Sequence, residues 1–291
     1  MNFVSKLKLK VILKRLGIFA VLAYLFYGSS LYFFQNSMIF HPRKFEKSAS
    51  PRTWENIEYQ TNFGRQNSFL ALTDSHDAHN TEDLKQIKSI WIVFSGNASV
   101  SLNWGNFIKE FKQSDVGFFL IDYPGYGYNE GIPSAENIKE SYLAALDELK
   151  KKFHQVEIKY NFLGYSLGCA TALEAASELA KENKIEKIIL LAPFTDTLEM
   201  AKRTVGTPLR YLYPLDIMLK TRYDNKRQIE NLKNQSKIII FHGENDEVIP
   251  FQMGKKLAEI SDKIDFVIPA QANHANMLIV AREQIYQFIR E

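Results

Sequence analysis

The chain has 291 residues, of which 46% are hydrophobic and 24% are charged, so it can bury a large core and does not have a disordered composition. Five of its 36 basic residues fall within residues 1–15, which hold no acid, so the remainder carries 31 basic against 33 acidic residues. No basic stripe appears in the body, which argues against nucleic acid as a partner. Cys169 is the only cysteine, which excludes an intramolecular disulfide and a CxxC metal or redox motif.

Residues 16–34 (LGIFAVLAYLFYGSSLYFF) form an uncharged, apolar segment directly after this basic terminus. As a helix the segment would span about 28 Å, close to the roughly 30 Å hydrocarbon core of a bilayer. The alternative is a cleaved signal peptide, but the apolar core of a signal peptide is usually about 7–15 residues, and no small-x-small cleavage site follows. The sequence therefore predicts a basic segment over 1–15 and an uncleaved, single-pass transmembrane helix over 16–34.

The distribution of positive charge also predicts an orientation. Because the basic cluster precedes the span, the positive-inside rule places the N-terminus in the cytoplasm and the folded body on the non-cytoplasmic side. Basic residues between positions 43 and 52 reduce this bias.

Residues 41–55 resemble a linker into a folded body that covers 41–291, and apolar runs alternate with helical patterns in that body. Continuous apolar runs are typical of strands buried on both faces of a parallel sheet. These predicted strands are Ser89–Phe94, Val116–Ile121, Ile158–Leu163, Ile185–Leu191, Lys237–Phe241 and Ile264–Ile268.

Helical patterns separate several of these runs, namely Ser134–Phe153, Leu167–Lys181, Gly254–Ile260 and Met277–Ile289. Alternation of strands and helices predicts an α/β fold with a mostly parallel sheet flanked by helices. Residues 194–235 interrupt the alternation with about 40 residues that contain several aromatic side chains. We interpret them as a short cap insertion; an ordinary surface excursion is the alternative.

A candidate nucleophile lies in the sequence Gly164-Tyr165-Ser166-Leu167-Gly168, which follows an apolar strand and opens a helix. The GxSxG pattern is typical of a turn so tight that the flanking positions have no room for side chains, while the serine oxygen is exposed. The N-terminus of the following helix favours developing negative charge. The alternative is a serine N-cap in a glycine-rich turn. The strand before it and the helix after it favour the nucleophile.

A serine hydroxyl needs a base within hydrogen-bond reach, and the base needs a carboxylate that fixes its tautomer. In chains with this turn the order is serine, then acid, then histidine, and only His242 and His274 follow Ser166. His274 lies in a polar loop between the last predicted strand and the last helix, so we predict it as the base. His242 directly ends a strand and is interpreted as a structural residue that braces the acid loop. The other histidines, His41, His76, His79 and His154, are interpreted as surface residues.

The predicted acid is Asp246, which lies just past the strand Lys237–Phe241. That position is at the carboxyl edge of the sheet, where ligands bind in open α/β folds. Asp196, which follows the preceding strand, is the main rival, and Glu244 and Glu247 are lesser ones.

The oxyanion of an acyl-transfer intermediate requires two backbone N–H donors. One is expected from Leu167, the residue after the nucleophile, and the other from the loop that follows an earlier strand. That loop is Phe94–Ser99, and Asn97 is its predicted donor; a plain turn into a helix is the alternative.

Taken together, these motifs resemble the α/β-hydrolase superfamily, and within it membrane-anchored serine hydrolases of the serine-aminopeptidase-like, monoacylglycerol-lipase-like and acyl-thioesterase-like branch. The chain departs from the usual family pattern at Ser95, where histidine is usual, and at Tyr128-Asn129, where x-Ser is usual. The early hairpin of the family, around Ser68–Thr73, is also poorly marked in this sequence. The matching pieces are the N-terminal hydrophobic segment, Ser95-Gly96-Asn97-Ala98, Asp122-Tyr123-Pro124-Gly125-Tyr126-Gly127, Gly164–Gly168, His242-Gly243-Glu244-Asn245-Asp246 with Pro250, and Asn273-His274.

The resemblance implies hydrolysis of carboxylic esters or thioesters through an acyl-serine, with Ser166, Asp246 and His274 as the catalytic triad and no metal or cofactor. The anchor and the aromatic residues of 194–235 indicate an amphipathic acyl substrate or a membrane lipid. The alternatives are a serine peptidase of the same fold and a non-catalytic, membrane-tethered binding protein.

Overall fold

The fold is described here from a computed structural model, which covers residues 3–45, 53–73 and 76–291. A mixed sheet lies at its centre. The strands in the described part of the chain are β1 (Glu55–Thr61), β2 (Gly64–Leu72), β3 (Ser89–Phe94), β4 (Val116–Ile121), β5 (Lys159–Tyr165), β6 (Ile185–Leu191), β7 (Lys237–Phe241) and β8 (Ile264–Val267).

The sheet has the order β1-β2-β4-β3-β5-β6-β7-β8. β2 pairs antiparallel with β1 and β4, whereas all the other pairs are parallel. The register aligns the carboxyl ends of the central strands, because Tyr165 pairs with Leu191 and Leu191 with Phe241. Loops after β3, β5, β7 and β8 therefore emerge along one edge of the sheet, where ligands bind in open α/β folds.

Helices cover both faces of the sheet, and the sheet separates two apolar clusters that are packed on its opposite sides. Four of them begin at a polar side-chain cap, supplied by Asn80, Ser134, Asp196 or Asp224. Ser134 Oγ accepts a hydrogen bond from Asn137 N–H (3.1 Å) where the longest helix of the body begins. The helices are α1 (Phe3–Ile39), α2 (Thr81–Gln86), α3 (Gly105–Glu110), α4 (Ala135–Lys152), α5 (Leu167–Leu179), α6 (Thr197–Val205), α7 (Leu209–Leu212), α8 (Leu215–Met218), α9 (Asn225–Leu232), α10 (Phe251–Ala258), α11 (Met277–Val280) and α12 (Arg282–Arg290).

This architecture confirms the predicted α/β fold with a mostly parallel sheet flanked by helices. Four of the six predicted strands have the observed bounds. β5 begins one residue later and ends two residues later than predicted, and β8 ends one residue earlier. The last predicted helix is divided at Ala281 into α11 and α12, and α10 begins at Phe251, three residues before its prediction. Pro250 precedes α10 and supplies a fixed backbone φ before its first turn.

The N-terminal helix α1 extends beyond the predicted 16–34 at both ends. The segment Lys10–Ile39 is the one helix among the described residues that is long and apolar enough to cross a membrane. Its large side chains between Val11 and Phe26 are exposed, with Phe26 76% accessible. Such a surface is costly in water and is expected where a helix faces lipid.

Residues 41–45, the first part of the expected linker, are held against the body. His41 N–H donates to Asn97 Oδ1 and to the Tyr126 hydroxyl (2.9 Å each), and Gly127 N–H donates to the Arg43 carbonyl (2.7 Å). The expected linker residues 46–52 lie outside the described residues. The segment 194–235, hereafter the β6–β7 segment, contains α6–α9 and runs from the sheet edge back to α1.

Candidate active site

Ser166 occupies the turn between β5 and α5 in a strained conformation. Its backbone has φ 55° and ψ −117°, a region that residues with a Cβ rarely adopt. Such strain is typical of a nucleophile elbow, where the turn lifts the serine oxygen above the carboxyl edge of the sheet. The N-terminus of α5, a 13-residue helix, lies directly behind the serine.

The glycines that flank Ser166 are required by close backbone approach. A Cβ at Gly164 would lie 2.5 Å from Cys169 Cα, and one at Gly168 would overlap the Phe94 carbonyl oxygen. α5 can therefore pack against the ends of β5 and β3 only when neither position carries a side chain. This packing also brings Gly96 of the β3 loop close to Ser166, since a Cβ there would lie 3.4 Å from Ser166 Cβ.

Gly168→Ala is expected to destabilise the fold by at least about 1–3 kcal/mol, because the new methyl group forces α5 away from β3. Gly105→Ala is the matched control. Gly105 is also helical and has nothing within 4 Å of a Cβ, so this change should be neutral or stabilise by roughly 0.4–1 kcal/mol. Urea unfolding of both variants tests the pair; equal stability would contradict the packing argument.

His274 joins Ser166 to Asp246 in a continuous hydrogen-bonded chain. The His274 Nε2 to Ser166 Oγ distance is 3.0 Å, and the His274 Nδ1 to Asp246 Oδ2 distance is 2.8 Å. His274 lies in the loop between β8 and α11, and Asp246 lies in the loop after β7. The hydroxyl of Tyr165, which precedes the nucleophile, donates to the His274 carbonyl and restrains this loop.

The Asp246 side chain is fully buried and accepts hydrogen bonds on both oxygens. Oδ1 accepts from the N–H groups of Val248 (2.9 Å) and Ile249 (2.7 Å), and Oδ2 faces His274. Burial by itself raises the pKa of this carboxyl, but hydrogen bonds from His242, His274 and Ile249 N–H outweigh it and lower the pKa. Because the pKa of Asp246 is lower in the folded state, its ionised carboxylate stabilises the fold. This contribution to the free energy of unfolding is complete above the ordinary aspartate pKa of about 3.9 and is lost as the pH falls through the folded-state pKa.

His242 lies beneath this loop and is completely buried. Its Nε2 is 3.0 Å from the Ile249 carbonyl oxygen and 3.5 Å from Asp246 Oδ2. Gly254 of α10 leaves room for the ring, since a Cβ there would overlap His242 Nδ1. These contacts place His242 between the acid loop and α10, away from Ser166.

The rival acids have other surroundings. Asp196 caps α6, where its Oδ1 accepts from Glu199 N–H (2.7 Å) and its Oδ2 pairs with Lys226 Nζ (3.1 Å). Glu247 Oε2 lies 3.5 Å from the backbone nitrogen of His274 and has no hydrogen bond to its imidazole ring. Glu244 is exposed. Asp246 is therefore the carboxylate that contacts the imidazole.

Among the early histidines, His79 and His154 are exposed, as predicted, whereas His76 is half-buried. His41, interpreted from sequence as a surface residue, is also exposed but lines the pocket in front of Ser166. Its position follows from the docking of residues 41–45 on the body.

Asn97 and Leu167 border the pocket in front of Ser166. Within the described part of the chain, neither backbone N–H has a hydrogen-bond acceptor. The turn is completed by Ala98 with φ 59°. The Asn97 side chain holds the loop in place: its Oδ1 accepts from His41 N–H (2.9 Å) and Tyr126 OH (2.9 Å), while its Nδ2 donates to the Ile39 carbonyl (2.6 Å).

Ser95 and Asn129, which lie at two of the departures from the family pattern, are buried and hydrogen-bonded, whereas Tyr128 is exposed. Ser95 Oγ accepts from Trp104 Nε1 (2.9 Å). Asn129 donates to the Asp122 carbonyl (2.7 Å) and accepts from Asn67 N–H (2.6 Å), so it ties the turn after β4 to β2. Both residues therefore support the loops around the pocket without contacting the triad.

A cavity of about 420 Å³ opens in front of Ser166 and His274, within the usual range of ligand pockets. Ser166, His274 and the loop at Asn97 form its floor, and its walls are mainly apolar. The sequence analysis did not assign any of the wall to α1. The wall residues come from α1 (Leu31, Gln35, Met38 and Ile39), from α6 (Thr197, Met200, Ala201, Thr204 and Val205), from around α8 (Leu215, Met218 and Leu219), and from Phe194, Val248 and Ile249.

A family model described as alpha/beta hydrolase fold matches residues 92–214. The chain is 31% identical over 160 residues to Protein ABHD12B of Homo sapiens, which covers 51% of this chain and 43% of that protein. It is 29% identical over 158 residues to Lysophosphatidylserine lipase ABHD12 of Bos taurus, which covers 51% of this chain and 39% of that protein. The chain thus spans about two fifths of the length of these relatives.

Among solved structures, the Pyrococcus furiosus esterase Pf2001 aligns with a TM-score of 0.62 at 13% identity, over 86% of this chain and 96% of that chain. At this identity the likeness shows the fold. Sheet topology, family match and structural likeness agree, and the chain has the α/β-hydrolase fold.

Proposed function

We propose that this protein is a membrane-anchored serine hydrolase that cleaves carboxylic esters or thioesters of amphipathic acyl substrates. The observation that carries the proposal is the hydrogen-bonded chain from Ser166 through His274 to Asp246. A hydroxyl at a strained turn, an imidazole 3.0 Å away and a buried carboxylate behind it are the three parts that nucleophilic acyl transfer requires.

In this proposal His274 Nε2 takes the proton from Ser166 Oγ as the oxygen attacks the acyl carbonyl carbon. The carbonyl oxygen becomes an oxyanion, which accepts hydrogen bonds from the N–H groups of Asn97 and Leu167. The imidazolium then donates its proton to the leaving oxygen or sulfur, and the bond to the acyl carbon breaks. Water then attacks the carbonyl carbon of the acyl-serine while His274 accepts its proton. The bond to Ser166 Oγ breaks as His274 returns a proton to that oxygen, and the carboxylic acid is released. Asp246 keeps His274 in the reactive tautomer throughout.

The surroundings of the pocket support an amphipathic substrate. Its walls are mainly apolar, and α1 contributes to them. α7 and α8 of the β6–β7 segment also carry exposed apolar side chains, with Tyr211 74% and Ile217 77% accessible. These helices lie next to α1, because the Leu212 carbonyl of α7 accepts a hydrogen bond from the Tyr24 hydroxyl of α1. A surface of this kind suits contact with lipid, and we propose that the β6–β7 segment serves as the cap.

The substrate class is tested by a panel of acyl esters and thioesters of graded chain length, presented to the full-length protein in mixed micelles. The relative named lysophosphatidylserine lipase makes a lysophospholipid a suitable member of the panel. We expect hydrolysis of single-chain acyl esters and labelling by a fluorophosphonate. Absence of both activities in folded protein would contradict the proposal.

We further propose that α1 spans the membrane once, with residues 1–15 in the cytoplasm and the body on the other side. The full-length protein should stay in the membrane pellet after carbonate extraction, because its apolar helix gains from lipid. Protease added outside intact cells should digest the body. Release by carbonate would contradict the anchor, whereas protection of the body would contradict only the orientation.

A further inference from the structure

The last turns of α1 present one side to the candidate active site. Leu31, Gln35, Met38 and Ile39 line the cavity. Gln35 follows Leu31 by four residues, and Met38 and Ile39 follow Gln35 by three and four, so these side chains share one face of the helix. α6 also lines the cavity, with Met200, Ala201, Thr204 and Val205. An extended apolar group bound to Ser166 within this cavity can therefore contact both helices.

α1 is fixed against the β6–β7 segment by polar contacts that a freely pivoting anchor would lack. Gln35 is only 7% accessible; its Nε2 donates to the Met218 carbonyl (3.1 Å), and its Oε1 accepts from Lys220 N–H (2.6 Å). Both positions of the side-chain amide are thus used across the interface. This arrangement holds α1 at a defined distance from α8.

A second set of contacts lies further from the body. The rings of Tyr24 and Tyr213 stack with their centroids 4.6 Å apart. Tyr24 OH donates to the Leu212 carbonyl (2.9 Å), and Tyr213 OH donates to the Tyr24 carbonyl (2.8 Å). Gly28 permits this approach, because a Cβ there would lie 2.8 Å from the Tyr213 ring.

The end of α1 is also coupled to the loop expected to hold the oxyanion. The Ile39 carbonyl accepts from Asn97 Nδ2 (2.6 Å), and His41 N–H donates to Asn97 Oδ1 (2.9 Å). The Asn97 side chain therefore joins the end of α1 to this loop. A change in the position of α1 would move both the wall of the pocket and the loop beside Ser166.

We propose that residues 31–39 of α1 are a specificity-determining wall of the acyl pocket, so that the membrane helix itself sets the length of acyl chain that the enzyme accepts. This inference rests on the proposed function, since it concerns the substrate of the same site. An acyl chain bound to Ser166 lies along Leu31 and Met38, and the volume of these side chains limits its length.

The test uses the full-length protein in mixed micelles and compares p-nitrophenyl dodecanoate with p-nitrophenyl butyrate. Leu31→Trp narrows the pocket and should lower the dodecanoate-to-butyrate ratio of kcat/KM about tenfold or more, the size expected when a pocket rejects methylene groups. Met38→Ala widens it and should raise the ratio. Leu22→Trp is the matched control: it is the same substitution in α1 at an exposed position outside the cavity, and it should leave the ratio unchanged.

Fluorophosphonate labelling reports separately whether Ser166 is reactive in each variant. If the wild-type protein is neither labelled nor hydrolytic, the proposed function fails and this inference falls with it. If the wild-type protein hydrolyses both esters but Leu31→Trp and Met38→Ala keep its ratio, the wall is overturned while the proposed function stands. An equal shift in Leu22→Trp would also overturn it, because the effect would then belong to the helix in general.

Discussion

Ser166→Ala is expected to lower ester hydrolysis by a factor on the order of 10⁶ and to abolish fluorophosphonate labelling. Alanine removes the oxygen that lies 3.0 Å from His274 Nε2, and no acyl-enzyme can form without it. The loss stops short of the uncatalysed rate because the oxyanion donors and the pocket still bind the transition state. Rates for a single-chain ester and in-gel labelling of full-length protein give the measurement.

Ser177→Ala is the matched control for this change. Ser177 lies on α5, the helix that begins at the nucleophile, but its hydroxyl donates to Gln228 Oε1 (2.7 Å) of α9 and does not line the pocket in front of Ser166. Rate and labelling should both remain near the wild-type values. Hydrolysis by Ser166→Ala above about one part in a thousand of the wild-type rate would mean that another group carries the reaction.

Asp246→Asn is expected to lower kcat by on the order of 10⁴, the size seen when the carboxylate of a triad becomes an amide. The fully buried carboxylate fixes the tautomer that leaves His274 Nε2 free to accept a proton. An amide at this position pairs with the wrong tautomer. Fluorophosphonate labelling should slow with hydrolysis, because both begin with attack by Ser166.

Asp196→Asn is the control that separates the two acids. Asp196 caps α6 and pairs with Lys226, and asparagine is itself a good N-cap. The substitution should therefore change kcat little and stability by a few tenths of a kcal/mol or less. A larger loss of kcat in Asp196→Asn than in Asp246→Asn would assign the acid to the loop after β6.

The turn motif and the order of residues along the chain were sufficient to predict that Ser166, Asp246 and His274 come together. The GxSxG turn has a backbone reason at each glycine, and the chain order of serine, acid and histidine leaves few candidates for the other two positions. Parallel strands with aligned carboxyl ends then place Ser166, Asp246 and His274 along one edge. Their contacts agree with the prediction, and their catalytic roles remain a proposal.

The early hairpin of β1 and β2 was poorly marked because its pattern is unusual. β1 is a polar edge strand, and β2 buries Gln66, Asn67 and Ser68 in its first half. Asn67 N–H is satisfied by Asn129 Oδ1 (2.6 Å) from a loop 62 residues later. A buried polar run stabilised by such a distant partner has no local signal of period two.

The part played by α1 in the pocket was missed for a different reason. Its composition indicates a membrane span, and an apolar helix without a polar face gives no sign that one side contacts protein. The contacts join Tyr24 and Gln35 to Tyr213 and Met218, more than 180 residues later. Gly28 and Gln35 were the available signals, since a small residue and a neutral amide are common where a membrane helix packs against another element.

The central claim is that Ser166 forms the covalent acyl intermediate, and peptide mapping by mass spectrometry tests it most directly. Full-length protein is treated with a fluorophosphonate until ester hydrolysis stops, digested, and searched for the mass of the probe. The account predicts one adduct per chain, on the peptide that contains Gly164-Tyr165-Ser166-Leu167-Gly168, and none after Ser166→Ala. Loss of activity with the adduct on another residue, or continued hydrolysis with Ser166 fully modified, would contradict it.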